Sequence, residues 1–323
     1  MNKKQRVLDC IDGKSIDKIP CSFWHHYSGA DAIGRQCIEK HKQLYKETNI
    51  DFIKMMCDGY FGDIIPFEAK IERPSDWDRI KIPSLKSKFV EEQLDRVKGM
   101  VEAVNDECCV YYVLFSAFTY IMHYYGLEFC MDQLADEEAN PYFSRALINM
   151  TEFIGEFGKR LIFEAGATGI HQAIGFNYLF SVEQYRKYMT PNDKYLMHAF
   201  KEAGDYNIVH LCGWEGFKNN LESWKDYGSA VTHWDQHTDK LSIPDGKKYF
   251  KNTRAYMTGF ENKSNSILYH GTEQEVKAKA KEYAKLGGKT GFILSADCSI
   301  DSEIAYERLR WVTEAMDELG TCW

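Results

Sequence analysis

The chain has 323 residues, of which 44% are hydrophobic and 27% are charged. These values are close to the globular average and argue against a disordered, collagen-like or coiled-coil protein. Forty basic and 48 acidic residues give a net charge of −8, so a broad surface for nucleic acid or anionic membrane is not expected. No apolar run has the length of a transmembrane helix, and the charged N-terminus does not resemble a signal peptide. We therefore predict a cytoplasmic protein with one domain over residues 1–323 that binds neither nucleic acid nor membrane.

The ten cysteines are too few for a disulfide scaffold and are expected to be free thiols or metal ligands. Cys322 is assigned no role, and Cys212 and Cys298 are considered below. The remaining seven are predicted to pack as small hydrophobic side chains: Cys10, Cys21, Cys37, Cys57, Cys108, Cys109 and Cys130.

Short apolar runs rich in β-branched and aromatic residues recur along the chain, as is typical of buried parallel strands. Eight such runs are predicted strands: Ile19–Trp24, Phe52–Met56, Cys109–Phe115, Thr168–Ile174, Asn207–Cys212, Ala230–Trp234, Ala255–Phe260 and Thr290–Ser295.

The segments between these runs show helical patterns. Lys88–Val104 carries an apolar stripe at helical spacing, and a helix capped by Ser181 extends to Ala203, with a break or restart at Pro191. A third helix follows Thr272 and ends at Gly287-Gly288. The last helix is predicted to follow Asp301-Ser302 and to include Ile304.

Eight strands with intervening helices predict an α/β fold of the (β/α)8 TIM-barrel type, and a doubly wound open sheet is the main alternative. In a TIM barrel the functional side chains lie at the C-terminal ends of the strands. The polar residues assigned to these ends are His25, His26, Asp58, Ser116, His171, Gln172, His210, Cys212, Asp235, His237, Glu261, Asn262 and Cys298.

His210 and Cys212 form the most distinctive pattern, because residues i and i+2 of a strand share one face. Cys298 follows the last predicted strand and can meet them across the barrel mouth. Two thiolates and one imidazole suit Zn²⁺, and three protein ligands leave a fourth position open, as in catalytic zinc sites. The alternative is structural, with Cys298 as buried filler and His210 as a core histidine.

The sequence resembles the uroporphyrinogen decarboxylase superfamily, and within it the zinc-dependent corrinoid (cobalamin) methyltransferases. The first resemblance is the His-x-Cys…Cys motif, which His210, Cys212 and Cys298 match one for one. Further similar segments extend over nearly the whole chain: Arg6-Val7-Leu8, Asp17-Lys18-Ile19-Pro20, Ser116–Thr119, Ala165–Ile170, Val209–Gly213, Gly271-Thr272 and Gly291–Cys298.

This resemblance implies a uroporphyrinogen decarboxylase-like TIM barrel with zinc bound by His210, Cys212 and Cys298. It implies an enzyme that transfers a methyl group between a corrinoid, as methylcobalamin carried by a separate partner protein, and a small-molecule acceptor. The acceptor would be a thiol similar to coenzyme M, or tetrahydrofolate.

Two departures from the family pattern favour methyl transfer over decarboxylation. Phe23–Gly29 contains no arginine, although uroporphyrinogen decarboxylases hold the substrate carboxylates with arginine there. Ser116-Ala117 replaces the family's Gly-Pro. Two alternatives stay open: a metal-free decarboxylase of this fold, and a non-catalytic barrel that binds corrinoid or metal.

The remaining candidates receive more general roles. Asp235 resembles in position an acidic residue that some relatives use as the exchangeable fourth zinc ligand, and His233 and His237 compete for that role. Asp58 is a second catalytic candidate, which could bind substrate, orient a histidine or cap a turn. Substrate-binding roles are expected for His25, His26, His171, Glu261 and Asn262, with only one of the adjacent His25 and His26 facing the pocket.

Overall fold

The computed structural model describes residues 1–60, 70–213 and 216–320. Over these residues, seven parallel strands form one sheet in which each strand pairs with the next along the chain. The strands are β1 Phe52–Met55, β2 Cys109–Phe115, β3 Gly169–Ile174, β4 Ile208–Leu211, β5 Ser229–Trp234, β6 Thr253–Phe260 and β7 Phe292–Ala296. Most of their residues are buried, because helices cover the sheet and the strands are apolar on both faces.

The described residues form twelve α-helices: α1 Lys3–Ile11, α2 Gly34–Thr48, α3 Lys88–Val104, α4 Ala117–Tyr125, α5 Leu127–Ala135, α6 Asn140–Phe163, α7 Val182–Tyr188, α8 Thr190–Ala203, α9 Ile243–Tyr249, α10 Ile267–His270, α11 Glu273–Gly287 and α12 Tyr306–Gly320. The helices capped by Ser181 and Thr272 are confirmed, and each has a capping box. The predicted break at Pro191 is confirmed as the boundary between α7 and α8.

Seven of the eight predicted strands are confirmed, but Ile19–Trp24 forms no strand. Pro20 has no N–H to donate, and pairing there is limited to a few bonds. Leu294 N–H donates to the Pro20 carbonyl at 3.0 Å, Ser22 N–H donates to the Leu294 carbonyl at 3.1 Å, and Asp51 N–H donates to the Cys21 carbonyl at 2.8 Å. The structure therefore shows a seven-stranded parallel α/β fold and does not confirm the complete eight-stranded barrel.

Two smaller expectations concern the last helix and the cysteines. The last helix begins at Tyr306, so Ile304 precedes it as a buried loop residue. The seven cysteines expected in the core are all buried and free, and Cys322 lies outside the described residues. Across the described ranges, none of the helices combines the length and apolarity needed to cross a membrane.

Candidate metal centre

The structure brings His210, Cys212 and Cys298 together at one end of the sheet. His210 is the third residue of β4, Cys212 follows that strand, and Cys298 lies two residues beyond β7. The His210 Nε2 is 3.3 Å from the Cys298 Sγ, which is 3.7 Å from the Cys212 Sγ. His210 is buried, and the two cysteines are partly buried. The three side chains thus form one compact His–Cys–Cys cluster.

The spacing of the cluster fits a tetrahedral zinc ion. With Zn–S bonds of about 2.3 Å and Zn–N bonds of about 2.0–2.1 Å, tetrahedral angles place two sulfurs about 3.8 Å apart and a nitrogen and a sulfur about 3.6 Å apart. The observed separations of 3.7 and 3.3 Å are close to both values. A disulfide would need the sulfurs to approach to about 2.05 Å. The residues present therefore fit a zinc site with three protein ligands.

The cluster also favours one thiolate before any metal binds. The hydrogen bond from the Cys212 thiol holds the pKa of Cys298 well below its usual value, against the effect of burial, and His210 adds to the lowering. The same hydrogen bond and burial raise the pKa of Cys212. Metal-ligating cysteines must be deprotonated, so of the two cysteines Cys298 has the pKa shift that would favour metal binding.

A second cluster next to the first contains Asp235, His237 and Asp297, with candidate ligand atoms within 4.8 Å of one another. His237 Nδ1 is 2.6 Å from an Asp297 carboxylate oxygen. Burial raises the pKa of Asp297 well above its usual value, and the neighbouring Asp235 carboxylate contributes to that rise. The structure thus groups Asp235 with His237 and Asp297. Asp235 also lies close to Gly213, the residue after Cys212, because a Cβ added at Gly213 would be only 2.6 Å from an Asp235 oxygen.

A layer of buried rings and one lysine packs against the His–Cys–Cys cluster. This imidazole layer consists of Trp24, Lys54, His171, His210 and His233. The His210 ring lies 4.2 Å from the His233 ring and 5.4 Å from the His171 ring, measured between centroids. Trp24 contacts all three imidazoles edge to face, and the Lys54 Nζ lies 4.0 Å from the centroid of the Trp24 ring.

Several polar atoms in the imidazole layer are buried without a hydrogen-bond partner among the described residues. They are both ring nitrogens of His171, Nδ1 of His210, Nδ1 of His233 and Nε1 of Trp24. Buried polar groups are usually hydrogen-bonded, so this concentration of unpaired nitrogens is unusual. Among the described residues, Nδ1 of His210 has no carboxylate or carbonyl partner of the kind that commonly orients a zinc-binding histidine.

Sequence reasoning missed Lys54 and Trp24 and misplaced His171. His171 was expected at the C-terminal end of its strand, but it lies in the middle of β3, opposite Ile208. Its ring is fully buried in the imidazole layer. Lys54 interrupts an otherwise apolar strand, Phe52-Ile53-Lys54-Met55. A charged residue in such a run was the available signal.

His25, His26 and Asp58 lie near one another on loops that follow the predicted first strand and β1. His26 Nδ1 is 2.8 Å from an Asp58 oxygen, and the other Asp58 oxygen accepts the Tyr27 N–H at 2.9 Å. His25 is buried and bonds the Tyr306 hydroxyl through Nε2 at 2.9 Å. The adjacent histidines therefore have different surroundings, and Asp58 contacts His26 and not His25 among the hydrogen bonds of the described residues.

Glu261 and Asn262 follow β6 in the loop next to Cys298. The Asn262 side chain donates to the backbone carbonyl of Ser299 at 3.0 Å. The Glu261 backbone carbonyl accepts the Ser266 hydroxyl at 2.8 Å. The Asn262 bond ties this loop to the residue after Cys298, whereas the Glu261 bond lies within the loop.

Comparisons with known proteins place this geometry in a wider context. A family model described as Uroporphyrinogen decarboxylase (URO-D) matches residues 60–319. No curated protein sequence matches the chain. Among solved structures, a methyltransferase from Methanosarcina mazei is similar, with a TM-score of 0.80, 18% identity and 99% of each chain covered.

Two further solved structures are less similar. One is a putative vitamin-B12 independent methionine synthase from Listeria monocytogenes, with a TM-score of 0.53, 16% identity and coverage of 87% of this chain and 85% of that one. The other is a B12-independent methionine synthase from Shewanella sp. W3-18-1 in complex with selenomethionine, with a TM-score of 0.51, 14% identity and 95% of each chain covered. At such identities the likeness shows a shared fold.

Proposed function

The chain belongs to the uroporphyrinogen decarboxylase (URO-D) family, and we propose that within it this protein is a zinc-dependent methyltransferase. It would transfer a methyl group between a corrinoid carried by a separate protein and a small acceptor, either a thiol or tetrahydrofolate. The observation that carries the proposal is the spacing of the His–Cys–Cys cluster, which suits a zinc ion with a fourth position open. The fold shared with the methyltransferase from Methanosarcina mazei supports it.

We assign His210 Nε2, Cys212 Sγ and Cys298 Sγ as the metal-binding atoms. When bound, zinc lowers the pKa of a thiol acceptor so that the thiolate forms near neutral pH. In the proposed transfer to a thiol, the acceptor sulfur would form a bond to the methyl carbon while the bond between that carbon and the corrinoid breaks. The electron pair of the broken bond would stay on the corrinoid, and the thiol proton would leave to solvent. The products would be a methyl thioether and a reduced corrinoid.

Other residues of the chain would bind or orient the reactants. Asp235 is proposed as the exchangeable group that fills the fourth position before the acceptor binds, because its carboxylate lies beside Gly213, the residue after a ligand. His26, oriented by Asp58, is proposed to contact the substrate or the corrinoid protein, since it is the more exposed member of the pair. The segment at Pro20–Ser22 is proposed as the eighth element of a closed barrel, because it bonds β7 and the residue before β1.

The experiment that tests the proposal compares the metal content of the wild type with that of Cys298→Ala and His210→Ala. We expect about one zinc per chain in the wild type and a loss of most of it in both variants. Cys130→Ala is the matched control, because Cys130 is a buried free cysteine on α5 outside the cluster. It should retain the wild-type content.

A second measurement follows demethylation of free methylcobalamin by 2-mercaptoethanol. The reduced corrinoid absorbs differently from the methylated form, so the reaction is visible directly. The wild type should accelerate it and the two cluster variants should not. Folded wild-type protein without zinc would refute the zinc mechanism and leave a metal-free decarboxylase or a binding barrel as the alternatives.

A further inference from the structure

The connection between β4 and β5 leaves part of the sheet uncovered. Neighbouring parallel strands are usually joined through an α-helix that packs on the face of the sheet. The described part of this connection, residues 212–213 and 216–228, contains a 3₁₀ turn at Leu221–Ser223 but no α-helix. Ser229 and Ala230, which begin β5, are only partly buried, whereas the other four residues of the strand are buried.

A cavity of about 620 Å³ lies at this place, between α8 and the first residues of β4 and β5. Its volume is within the range of small-molecule binding sites. The apolar residues that line it include Met197, Phe200, Val209 and Ala230. The cavity is therefore large enough and apolar enough for the carbon skeleton of a small organic molecule.

The cavity and the His–Cys–Cys cluster lie on opposite faces of the same strands. His171 and His210 lie in the imidazole layer, where their ring centroids are 5.4 Å apart. Gln172 and Val209, which line the cavity, are paired with each other across β3 and β4. Because successive side chains of a strand alternate between its faces, these two residues point away from the imidazole layer. The cavity is thus separate from the metal cluster.

Gln172 brings an unpaired hydrogen-bond acceptor to the cavity. The residue is 1% exposed, and its Nε2 donates to the backbone carbonyl of Asp193 at 3.3 Å. Its Oε1 is buried without a hydrogen-bond partner among the described residues, although buried polar atoms are usually paired. Since Gln172 lines the cavity, a molecule bound there can supply the missing N–H or O–H group.

Positive charge lies along the α8 side of the cavity. Lys194 and Lys201 are spaced i, i+7, so they share one face of α8 about 10 Å apart. The described residues form no ion pair with either lysine. Arg254 also lines the cavity and is paired with Asp12 at 3.0 Å, while Asp205 is the one carboxylate among the lining residues. The excess of positive charge favours an anionic ligand.

We propose that this cavity binds a small organic anion with an apolar body and a hydrogen-bond donor. The anionic group pairs with the lysines of α8, Lys194 and Lys201. The apolar body packs against Met197 and Ala230, and the donor bonds the Oε1 of Gln172. The site is additional to the proposed methyltransferase centre and does not depend on it.

The test uses 8-anilinonaphthalene-1-sulfonate, an anion with apolar rings and one N–H group, whose fluorescence rises in an apolar site. N-phenyl-1-naphthylamine has the same rings and N–H group but no sulfonate, and it is titrated in parallel. A double variant, Lys194→Gln with Lys201→Gln, removes charge from two exposed side chains, and Ala230→Leu fills the cavity. Lys285→Gln, an exposed lysine on α11, is the matched control.

We expect the wild type to bind about one sulfonate probe per chain with a Kd of tens of micromolar, about the affinity expected for a ligand of this size. The double lysine variant should bind the sulfonate about tenfold more weakly and the neutral probe equally well. Ala230→Leu should weaken both probes, and Lys285→Gln neither. Gln172→Met, which removes the acceptor at similar size, should weaken both about fivefold, because both carry the N–H group.

Absence of sulfonate binding to the wild type at up to about 1 mM would overturn the proposal. Unchanged sulfonate affinity in the double lysine variant or in Ala230→Leu would also overturn it, because the probe would then bind elsewhere. Unchanged affinity in Gln172→Met would remove the donor from the ligand class. Urea midpoints show that each variant is folded before it is titrated. No metal or methyl transfer enters the readout, so its failure is distinct from failure of the proposed function.

Discussion

The buried carboxyl group of Asp193 should make the stability of the protein fall as the pH rises from about 4 to about 7.5. Asp193 lies in the first turn of α8, is 2% exposed, and accepts the hydroxyl groups of Tyr185 at 2.8 Å and Tyr227 at 2.9 Å. Burial raises its pKa from 3.8 to about 6, and the two hydroxyl bonds oppose only part of that rise. The folded chain therefore holds a proton on Asp193 at pH values where the unfolded chain has lost it.

The size of the effect follows from the two pKa values. A difference of about 2.2 units corresponds to about 3 kcal/mol, since each unit is worth about 1.4 kcal/mol. Stability from the neutral carboxyl is fully present below the unfolded pKa and is lost as the pH rises to the folded pKa. About 2.5 kcal/mol of the loss falls between pH 4 and pH 7.5.

Asp193→Asn removes this dependence, because asparagine cannot ionise and keeps an oxygen that accepts both tyrosine hydroxyls. The free energy of unfolding is measured in urea at pH 4 and at pH 7.5 for the variant and the wild type. The stability of Asp193→Asn relative to the wild type should rise by about 2.5 kcal/mol from the lower to the higher pH. For Asp226→Asn, which replaces an exposed carboxylate nearby, the stability relative to the wild type should change by less than about 0.5 kcal/mol between the two pH values. A gap between Asp193→Asn and the wild type that is the same at both pH values would refute the reasoning.

Two further substitutions test local geometry. Gly213→Ala would place a Cβ 2.6 Å from an Asp235 oxygen, so we expect the zinc content to fall. Gly175→Ala, whose Cβ meets other atoms only at 3.7 Å, should retain the wild-type zinc content. Equal zinc content in both variants would contradict the contact with Asp235. Thr272→Ala removes the hydroxyl that accepts the Glu275 N–H at the start of α11. It should lower the free energy of unfolding, measured in urea, by about 1 kcal/mol. An unchanged urea midpoint would show that this cap is dispensable.

The proximity of the three side chains of the His–Cys–Cys cluster was predictable because each part of its signal is local. His210 and Cys212 share a strand face at spacing i, i+2, and Cys298 follows a strand whose apolar run is easy to recognise. Parallel strands bring their C-terminal ends to one edge, so strand order alone suffices to join the three side chains. The same logic predicted β1 to β7 within a few residues.

The features that the sequence did not reveal depend on contacts between distant segments. The pairing of His237 with Asp297 spans 60 positions, and nothing near either residue indicates it. Lys54 was overlooked because one charged residue hardly alters an apolar strand pattern, although its burial makes it unusual. Ile19–Trp24 has strand composition, yet Pro20 and pairing with Leu294 through a single isolated bridge leave it outside the regular sheet.

The order in which the chain is synthesised has a consequence for metal loading. Cys298 follows Cys212 by 86 positions, and at about 5–20 residues per second a ribosome needs roughly 4–17 s to reach it. During that interval the nascent chain offers two of the three ligands. The Ser295 hydroxyl bonds the Ser22 carbonyl, 273 positions away, so the sheet edge at Ser22 gains this contact at the same late stage. If the chain binds zinc as proposed, the three ligands can act together only after Cys298 has been added, so metal acquisition would be a late event of biosynthesis.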